Sequence, residues 1–216
     1  MQGPIFSTAF SNIKAGFVRL LSEPRLKRIV FAKTTWNLAG GGLAAVFLVI
    51  AGSRMTPDEM AAGIGLFFMA RGIGTGIGPI LARKYLVNKN LWPALVGILV
   101  SVSGFFYLLI GLTLFENIYL TIFLIILAHA ASGANWVLST ILTQQWVEDE
   151  MRGRVFSIDM LLMSISFSIS TYAAGWLRDN TAMSLNLGMI WFACAMIAFG
   201  IIFTLWRPDK VSRTIV

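Results

Sequence analysis

The sequence has little charge and almost no cysteine or histidine. Only 12% of its 216 residues are charged, whereas 57% are hydrophobic. Ordinary soluble domains carry about 25% charged residues. A single cysteine, Cys194, excludes an intramolecular disulfide and a cysteine metal cluster, and a single histidine, His129, excludes a multi-histidine metal site. We therefore expect no metal or other cofactor. The mean hydropathy of +0.77 indicates a membrane protein.

Six apolar segments are long enough to cross a membrane. A hydrocarbon core about 30 Å thick needs about 20 apolar residues per helix. The predicted spans are 29–52, 60–82, 91–114, 118–144, 155–177 and 184–206, joined by short polar connectors. These segments predict an all-α membrane protein with a six-helix bundle over 29–206 and a tail at 207–216.

Residues 1–28 form a separate amphipathic and basic segment. Apolar residues recur there at helical spacing, namely Phe6, Phe10, Ile13, Phe17, Leu20 and Leu21. This pattern predicts a helix that lies at the membrane surface or packs on the membrane domain. Pro24 then ends the pattern, and a basic cluster follows. The segment lacks the compact apolar run and cleavage site of a signal peptide.

The basic residues are distributed unevenly between the two ends of the predicted spans. With both termini cytoplasmic, thirteen of them fall on the cytoplasmic side: Lys14, Arg19, Arg25, Lys27, Arg28, Arg83, Lys84, Lys89, Arg152, Arg154, Arg207, Lys210 and Arg213. Only Arg54 and Arg178 fall outside. This asymmetry follows the positive-inside rule. It accounts for most of the net charge of +7 without a nucleic-acid partner.

The fourth span carries a polar stripe. Its members are spaced three or four residues apart and so share one face, with Asn135 beside them: His129, Ser132, Trp136, Ser139 and Thr143. The stripe has two interpretations. It lines a cavity, or its members form hydrogen bonds between packed helices, and one such hydrogen bond is worth about 0.6 kcal/mol. His129 correspondingly either carries a proton or is neutral and bonded to a neighbouring helix.

Other spans contain isolated charges and glycines. Arg71 lies near the middle of the second span, where arginine costs at least about 2.5–3.5 kcal/mol. It either binds an anionic substrate group or gating partner, or forms a structural pair with a carbonyl or carboxylate. In the fifth span, Asp159 is a candidate for an ion pair with a cytoplasmic arginine or for proton carriage. Lys33 of the first span is expected to extend toward the interface, and Asn37 follows it on the same face.

Glycine spacing gives further information about packing. Gly72 with Gly76, and Gly74 with Gly78, form interleaved small-xxx-small pairs that favour close helix approach. The first and fourth spans have polar stripes, the second and fifth have small residues with one charge, and the third and sixth are apolar. A unit of three helices therefore occurs twice, which predicts a 3+3 inverted repeat.

Four segments resemble the C-terminal half of a major facilitator superfamily transporter, closest to the branch of drug, macrolide and enterobactin exporters. They are LLSEPRLKR at 20–28, ARGIGTGIGPILAR at 70–83, STILTQQWVEDEMRGRVFSID at 139–159, and Gly175, Trp176, Leu177 and Asp179. In the third segment, Asp149, Arg152, Gly153 and Arg154 match the family pattern, whereas Glu148 replaces its proline. The loop after the second span keeps Arg83 and Lys84 but lacks the acid and glycine of the gating motif.

The resemblance implies a proton-coupled exporter of a small amphipathic compound, such as a drug or siderophore, in a plasma (bacterial inner) membrane. From the polar residues inside the spans, the candidate substrate-cavity residues are Asn37, Arg71, His129, Ser132, Asn135, Trp136 and Ser139. The candidate gating or ion-pair residues are Arg83, Asp149, Arg152, Arg154 and Asp159. Because this family's substrate path lies between two six-helix halves, an N-terminal half is an expected partner, besides the lipid bilayer.

Two other functions compete with this expectation. The chain is alternatively a half-size transporter or a noncatalytic membrane scaffold that acts as a dimer. An intramembrane serine protease would need a G-x-S-G loop and a histidine on a later helix. Here Ala130 and Ala131 precede Ser132, and His129 lies on the same helix. We therefore do not expect an enzyme.

Overall fold

A computed structural model describes residues 5–113 and 116–208, with side chains from residue 10 onward. This part of the chain is helical and contains no strand. The helices are α1 (Ile5–Ser22), α2 (Pro24–Gly42), α3 (Leu48–Met55), α4 (Met60–Tyr85), α5 (Trp92–Leu112), α6 (Ile118–Trp146), α7 (Asp149–Asn180) and α8 (Leu185–Leu205). A π-helical segment, Leu43–Phe47, joins α2 to α3, so these three pieces form one span.

Six of the described helical stretches are long and apolar enough to cross a membrane: Pro24–Met55, Pro57–Tyr85, Lys89–Leu112, Ile118–Trp146, Asp149–Asn180 and Leu185–Leu205. The prediction of an all-helical protein with six apolar spans is therefore confirmed, and the chain is an integral membrane protein. The side chain of Phe6, the predicted end of the third span at 114, and residues 209–216 of the predicted tail lie outside the described residues.

Two predicted boundaries are wrong because polar or proline residues begin helices here. α1 ends before Pro24, as predicted, but Pro24 also starts α2, five residues before the predicted 29, since the first turn of a helix tolerates proline's missing N–H. α7 starts at Asp149, well before the predicted 155, with Asp149 and Glu150 in its first turn. Acidic residues there interact favourably with the helix dipole. Asp149, Arg152 and Arg154 thus belong to a helix and not to a connector.

The spans do not pack in chain order. The largest interfaces join α5 to α8, α4 to α6, α5 to α6, and α2 to α7, and α2 also contacts α8. Small residues allow this close approach: a Cβ on Gly78 of α4 would overlap the backbone of Ala130 on α6. α3 packs on α4, and α1 packs on α7. Neighbours in space are therefore mostly distant in sequence.

Both ends of the bundle are held by polar contacts. At the end that carries most of the basic residues, the buried Arg28 donates from Nε to the carbonyl of Phe203 at 2.8 Å, tying α2 to α8. At the opposite end, Arg178 donates to the carbonyl of Met183 at 2.9 Å. α1 docks at the basic end through the fully buried Leu20 and through Gly16, which lies against the backbone of Arg154.

Candidate functional site

The polar stripe of α6 is buried over most of its length. His129, Ser132, Ser139 and Thr143 are at most 5% exposed, whereas Trp136 remains 39% exposed. The hydroxyls of Ser132, Ser139 and Thr143 each donate to a backbone carbonyl three or four residues earlier in α6. These hydroxyls are therefore satisfied within their own helix, an arrangement that neither sequence interpretation included. Interhelical bonding from this stripe is concentrated at His129.

His129 connects three spans. Its Nε2 accepts from Arg71 Nε of α4 at 3.2 Å and lies 2.7 Å from the hydroxyl of Tyr107 on α5. Its Nδ1 lies 3.4 Å from Ser132 Oγ in the next turn of α6. The rings of Tyr107 and His129 also meet edge to face. The structure thus brings together two predicted cavity residues, Arg71 and His129, around a tyrosine.

The hydrogen bonds define the protonation state of His129. Arginine has only donors, so Nε2 of His129 must be unprotonated to accept from Arg71. The ring proton then lies on Nδ1, which faces Ser132, and the imidazole is neutral. The guanidinium of Arg71 is held in one orientation, because the ring that accepts from it is itself fixed by two further contacts.

A second charged cluster joins α2 to α7. Lys33 and Asp159 form an ion pair with both side chains almost completely buried. The prediction that Asp159 pairs with a cytoplasmic arginine is wrong, because its partner is Lys33. The prediction that Lys33 extends toward the interface is also wrong, because its side chain is packed between α2 and α7. Lys33 Nζ also lies 5.8 Å from the ring centre of Trp136 on α6. The ion pair therefore borders the same face of α6 as His129, two helical turns away.

The polar groups near this ion pair are only partly hydrogen-bonded. Asn37, one turn after Lys33, donates to the carbonyl of Met163 on α7 at 3.1 Å. Oδ1 of Asp159 and Oδ1 of the buried Asn135 have no hydrogen-bond partner among the described residues. Buried acceptors of this kind are costly. The region around Lys33 is thus polar and incompletely satisfied.

The π segment lies next to a further polar contact between α2 and α7. Directly before it, Gly42 donates its backbone N–H to Ser170 Oγ at 2.8 Å. Gly41 also lies close to Phe167 and Ser170 of α7. A side chain at position 41 would prevent this close approach. π-helical turns are rare and are often found at functional sites. This one interrupts the span that carries Lys33 and Asn37.

The predicted gating residues do not form a single cluster. Arg152 pairs with Asp149 at 2.6 Å within the first turns of α7, and it donates to the carbonyl of Gln144. Arg83 is exposed in the last turn of α4. Arg154 is exposed and contacts the sulfur of Met151. The Asp149–Arg152 contact is local, so it does not join one span to a distant one.

The contact between α1 and the start of α7 was not predicted. Arg19 donates from Nε and Nη2 to the two carboxylate oxygens of Glu148, both at 2.9 Å. This bidentate contact lowers the pKa of the exposed Glu148 carboxyl and raises the pKa of Arg19. Arg19 also donates to the carbonyl of Trp146. Glu148 therefore joins the start of α7 to α1.

α4 and α7 each have one face that the described residues leave uncovered. On α4, a Cβ at Gly65, Gly72 or Gly76 would meet nothing within 4 Å. On α7, Ser164, Ser168 and Tyr172 are exposed. Lipid-facing surfaces are normally apolar, whereas small and polar residues are typical of contacts between helices. On both helices these small and polar residues lie among exposed apolar ones, such as Met69 and Ile165.

Sequence reasoning missed Tyr107, Lys33 as an ion-pair partner, and Arg28 as a buried residue. Tyr107 is one aromatic in a uniformly apolar span, and no pattern separates it from a packing residue. Lys33 could have been found by counting charges, because Asp159 is the one acid inside a predicted span and Lys33 and Arg71 are the two bases.

Comparisons with known proteins give no further identification: no family model, no curated protein and no solved structure matches this chain. The fold and the site therefore define the class of protein only as an integral membrane protein with six candidate spans, a buried Lys33–Asp159 ion pair and a contact of Arg71 with His129.

Proposed function

We propose that this chain is one six-helix half of a secondary active transporter of the major facilitator type. It moves a small amphipathic compound out of the cell by alternating access, driven by a proton gradient, with both termini on the cytoplasmic side of the plasma membrane. The observation that carries the proposal is the pattern of helix contacts, because it follows the exchange that an inverted repeat requires.

The exchange pairs each of the first three spans with one of the last three. The first span (α2 with α3) corresponds to α6, the second (α4) to α7, and the third (α5) to α8. It converts the α4–α6 interface into α7–α2 and the α5–α6 interface into α8–α2, and it leaves α5–α8 unchanged. All five are among the main interfaces of the described chain. The packing of α3 on α4 and of α2 on α5 does not follow the exchange, since α6 makes no comparable contact with α7 or α8 among the described residues. Because a unit of three spans is odd-numbered, its second copy in the chain would enter the membrane in the opposite orientation, as in a 3+3 inverted repeat.

The positions of polar groups support a substrate path beside α2 and α6. Arg71, His129, Lys33 and Asp159 lie within the candidate spans, and intramembrane charges generally mark ligand or ion pathways. Trp136 connects the two clusters along α6 and remains partly exposed. An amphipathic substrate would find the partly exposed aromatic surface of Trp136 between the two clusters.

The uncovered faces of α4 and α7 support a second six-helix unit as a partner. Gly72 and Gly76 on α4, and Ser164 and Ser168 on α7, offer small or polar surfaces suited to helix contact. The partner is the N-terminal half or, in the alternative of a half-size transporter or scaffold, a second copy of this chain.

Transport by vesicles tests the function. Inverted membrane vesicles that contain the chain would be energised with a proton gradient and offered a panel of fluorescent amphipathic dyes. We expect uncoupler-sensitive accumulation that Arg71→Ala and His129→Ala reduce, and native mass spectrometry would report the partner or copy number. A homodimer that transports would favour the half-size alternative. Stable particles that move none of the dyes would favour a scaffold.

Cysteine labelling tests the orientation. In a Cys194→Ser background, Arg54→Cys and Arg83→Cys place one thiol at each end of the bundle. A membrane-impermeant maleimide applied to intact cells should label Arg54→Cys at once, and Arg83→Cys only after permeabilisation. The reverse pattern would contradict cytoplasmic termini.

A further inference from the structure

Arg71 differs from the other basic residues inside the described spans. Lys33 is paired with Asp159, and Arg28 bonds to carbonyls at the end of α8. Arg71 has no carboxylate partner among the described residues, although it lies near the middle of α4. An arginine at that depth needs a partner or water. The charge on Arg71 is thus uncompensated by any described acid.

The hydrogen-bonding capacity of Arg71 is largely unused. Of the five N–H donors of a guanidinium, only Nε–H is engaged, by His129. The four N–H groups on Nη1 and Nη2 have no acceptor among the described residues. Because Tyr107 and Ser132 fix the histidine ring, the guanidinium plane is held before any ligand arrives. A fixed guanidinium fork matches a carboxylate, whose two oxygens accept side by side.

The surroundings of Arg71 define the rest of a ligand. The guanidinium carbon lies 4.8 Å from the ring centre of Phe68, which is 47% exposed. One helix position further on, Gly72 has open space where a side chain would be. A ligand approaching from this uncovered side of α4 therefore meets an aromatic ring beside a cation. This combination suits an aromatic or apolar group that carries a carboxylate.

We propose that Arg71 binds the carboxylate of a small amphipathic molecule, with Phe68 contacting its apolar part and His129 acting as a positioning residue for the guanidinium. This inference rests on the proposed transport function and names the substrate class for it: an organic monoanion. The site would discriminate against amines of the same shape, because Arg71 repels them, and against neutral isosteres, because they accept fewer hydrogen bonds.

Binding of three matched probes tests the proposal. The full chain in lipid nanodiscs would be titrated with 4-fluorobenzoate, 4-fluorobenzyl alcohol and 4-fluorobenzylamine, and binding would be followed by ¹⁹F NMR. We expect saturable binding of 4-fluorobenzoate that is about tenfold or more tighter than that of either isostere. Equal binding of the alcohol and the carboxylate would overturn the proposal, as would the absence of saturable 4-fluorobenzoate binding.

Variants separate the guanidinium from general charge and from folding. Arg71→Gln should weaken 4-fluorobenzoate binding about tenfold or more. Arg71→Lys should restore part of it, because lysine keeps the charge but loses the fork. Lys84→Gln, an exposed change near the end of the same helix, should have no effect. Unchanged binding in Arg71→Gln with an intact thermal transition would overturn the proposal.

Two further results distinguish the possible failures. If Arg71→Gln leaves 4-fluorobenzoate binding intact but changes the native mass of the complex, Arg71 pairs with a protein carboxylate and the proposal is wrong. If 4-fluorobenzoate binds as expected but the energised vesicles transport nothing, the carboxylate site stands and the transport function fails. If the vesicles transport a dye but 4-fluorobenzoate binding does not depend on Arg71, the transport function stands and the carboxylate site is wrong.

Discussion

Lys33 and Asp159, which are 126 residues apart in the chain, form a buried ion pair between α2 and α7. Both side chains are 3% exposed or less. Each charge therefore depends on the other for compensation. The pair holds the first and fifth spans together beside the face of α6 that carries Trp136.

Breaking this ion pair from one side should be costly, and removing both charges should cost less. Lys33→Met leaves the carboxylate of Asp159 buried without its partner, so we expect a loss of about 3–5 kcal/mol in the free energy of unfolding. The double variant Lys33→Met/Asp159→Leu should recover most of this loss. Denaturation in detergent by increasing SDS measures both. A double variant less stable than either single variant would contradict this account.

The contact between Ser170 and the backbone at the π segment gives a second prediction. Ser170→Ala removes the acceptor of the Gly42 N–H, and an unsatisfied buried donor costs about 1–3 kcal/mol. Ser168→Ala is the matched control, because Ser168 is exposed and bonds only within its own helix. Thermal unfolding should separate the two variants. Equal stability of both would show that the Gly42 N–H finds another partner.

Glycines on opposite faces of α4 should respond differently to the same substitution. Gly78→Ala places a methyl group against the backbone of Ala130, so α4 and α6 must separate, at a cost of about 1–3 kcal/mol. Gly76→Ala meets open space and should be neutral or stabilising by up to about 1 kcal/mol, because alanine favours helix. Thermal unfolding of the isolated chain distinguishes them. A destabilising Gly76→Ala would indicate that this face is already occupied.

The contact between Arg19 and Glu148 predicts that the docking of α1 on the bundle weakens in acid. Since Arg19 lowers the pKa of Glu148, their contact stabilises the docked helix fully above the ordinary glutamate pKa of 4.5. That stabilisation is lost as the pH falls through the lowered pKa of the folded state. A nitroxide on Phe10→Cys, in a Cys194→Ser background, would report α1 mobility.

We expect the mobility of α1 to rise modestly as the pH falls below about 4.5 and to be raised at all pH values in Glu148→Gln, because an exposed ion pair contributes little to stability while Leu20 stays packed. Glu150→Gln provides the control, because Glu150 is exposed and no hydrogen bond or ion pair joins its side chain to the described residues of α1. A transition that persists in Glu148→Gln would assign the acid sensitivity to another group.

The spans could be predicted from the sequence because hydropathy and length decide them. Their boundaries could not, since Pro24 and Asp149 look like loop residues although both suit the first turn of a helix. The inclusion of His129 and Arg71 among the site candidates followed from the cost of polar groups in lipid. Their contact did not follow, because helical spacing says which residues share a face and not which helix that face meets.

The partner of Asp159 illustrates the same limit. Counting charges leaves Lys33 and Arg71 as possible partners inside the membrane, and only the packing of α2 on α7 selects Lys33. The glycines of α4 are similar: two interleaved pairs are equivalent in sequence, yet only Gly74 and Gly78 contact α6.

The order of helix packing also has a consequence for biosynthesis. Ribosomes deliver the spans from the N-terminus, so α4 enters the membrane with Arg71 before α6 and its His129 have been made. Lys33 similarly precedes Asp159 by most of the chain. Until the fourth and fifth spans emerge, Arg71 lacks its hydrogen-bond acceptor and Lys33 lacks its counter-charge, so both cations need the insertion machinery or a hydrated environment. Synthesis that stalls between α4 and α6 would leave a nascent chain suited to recognition by membrane quality-control proteases.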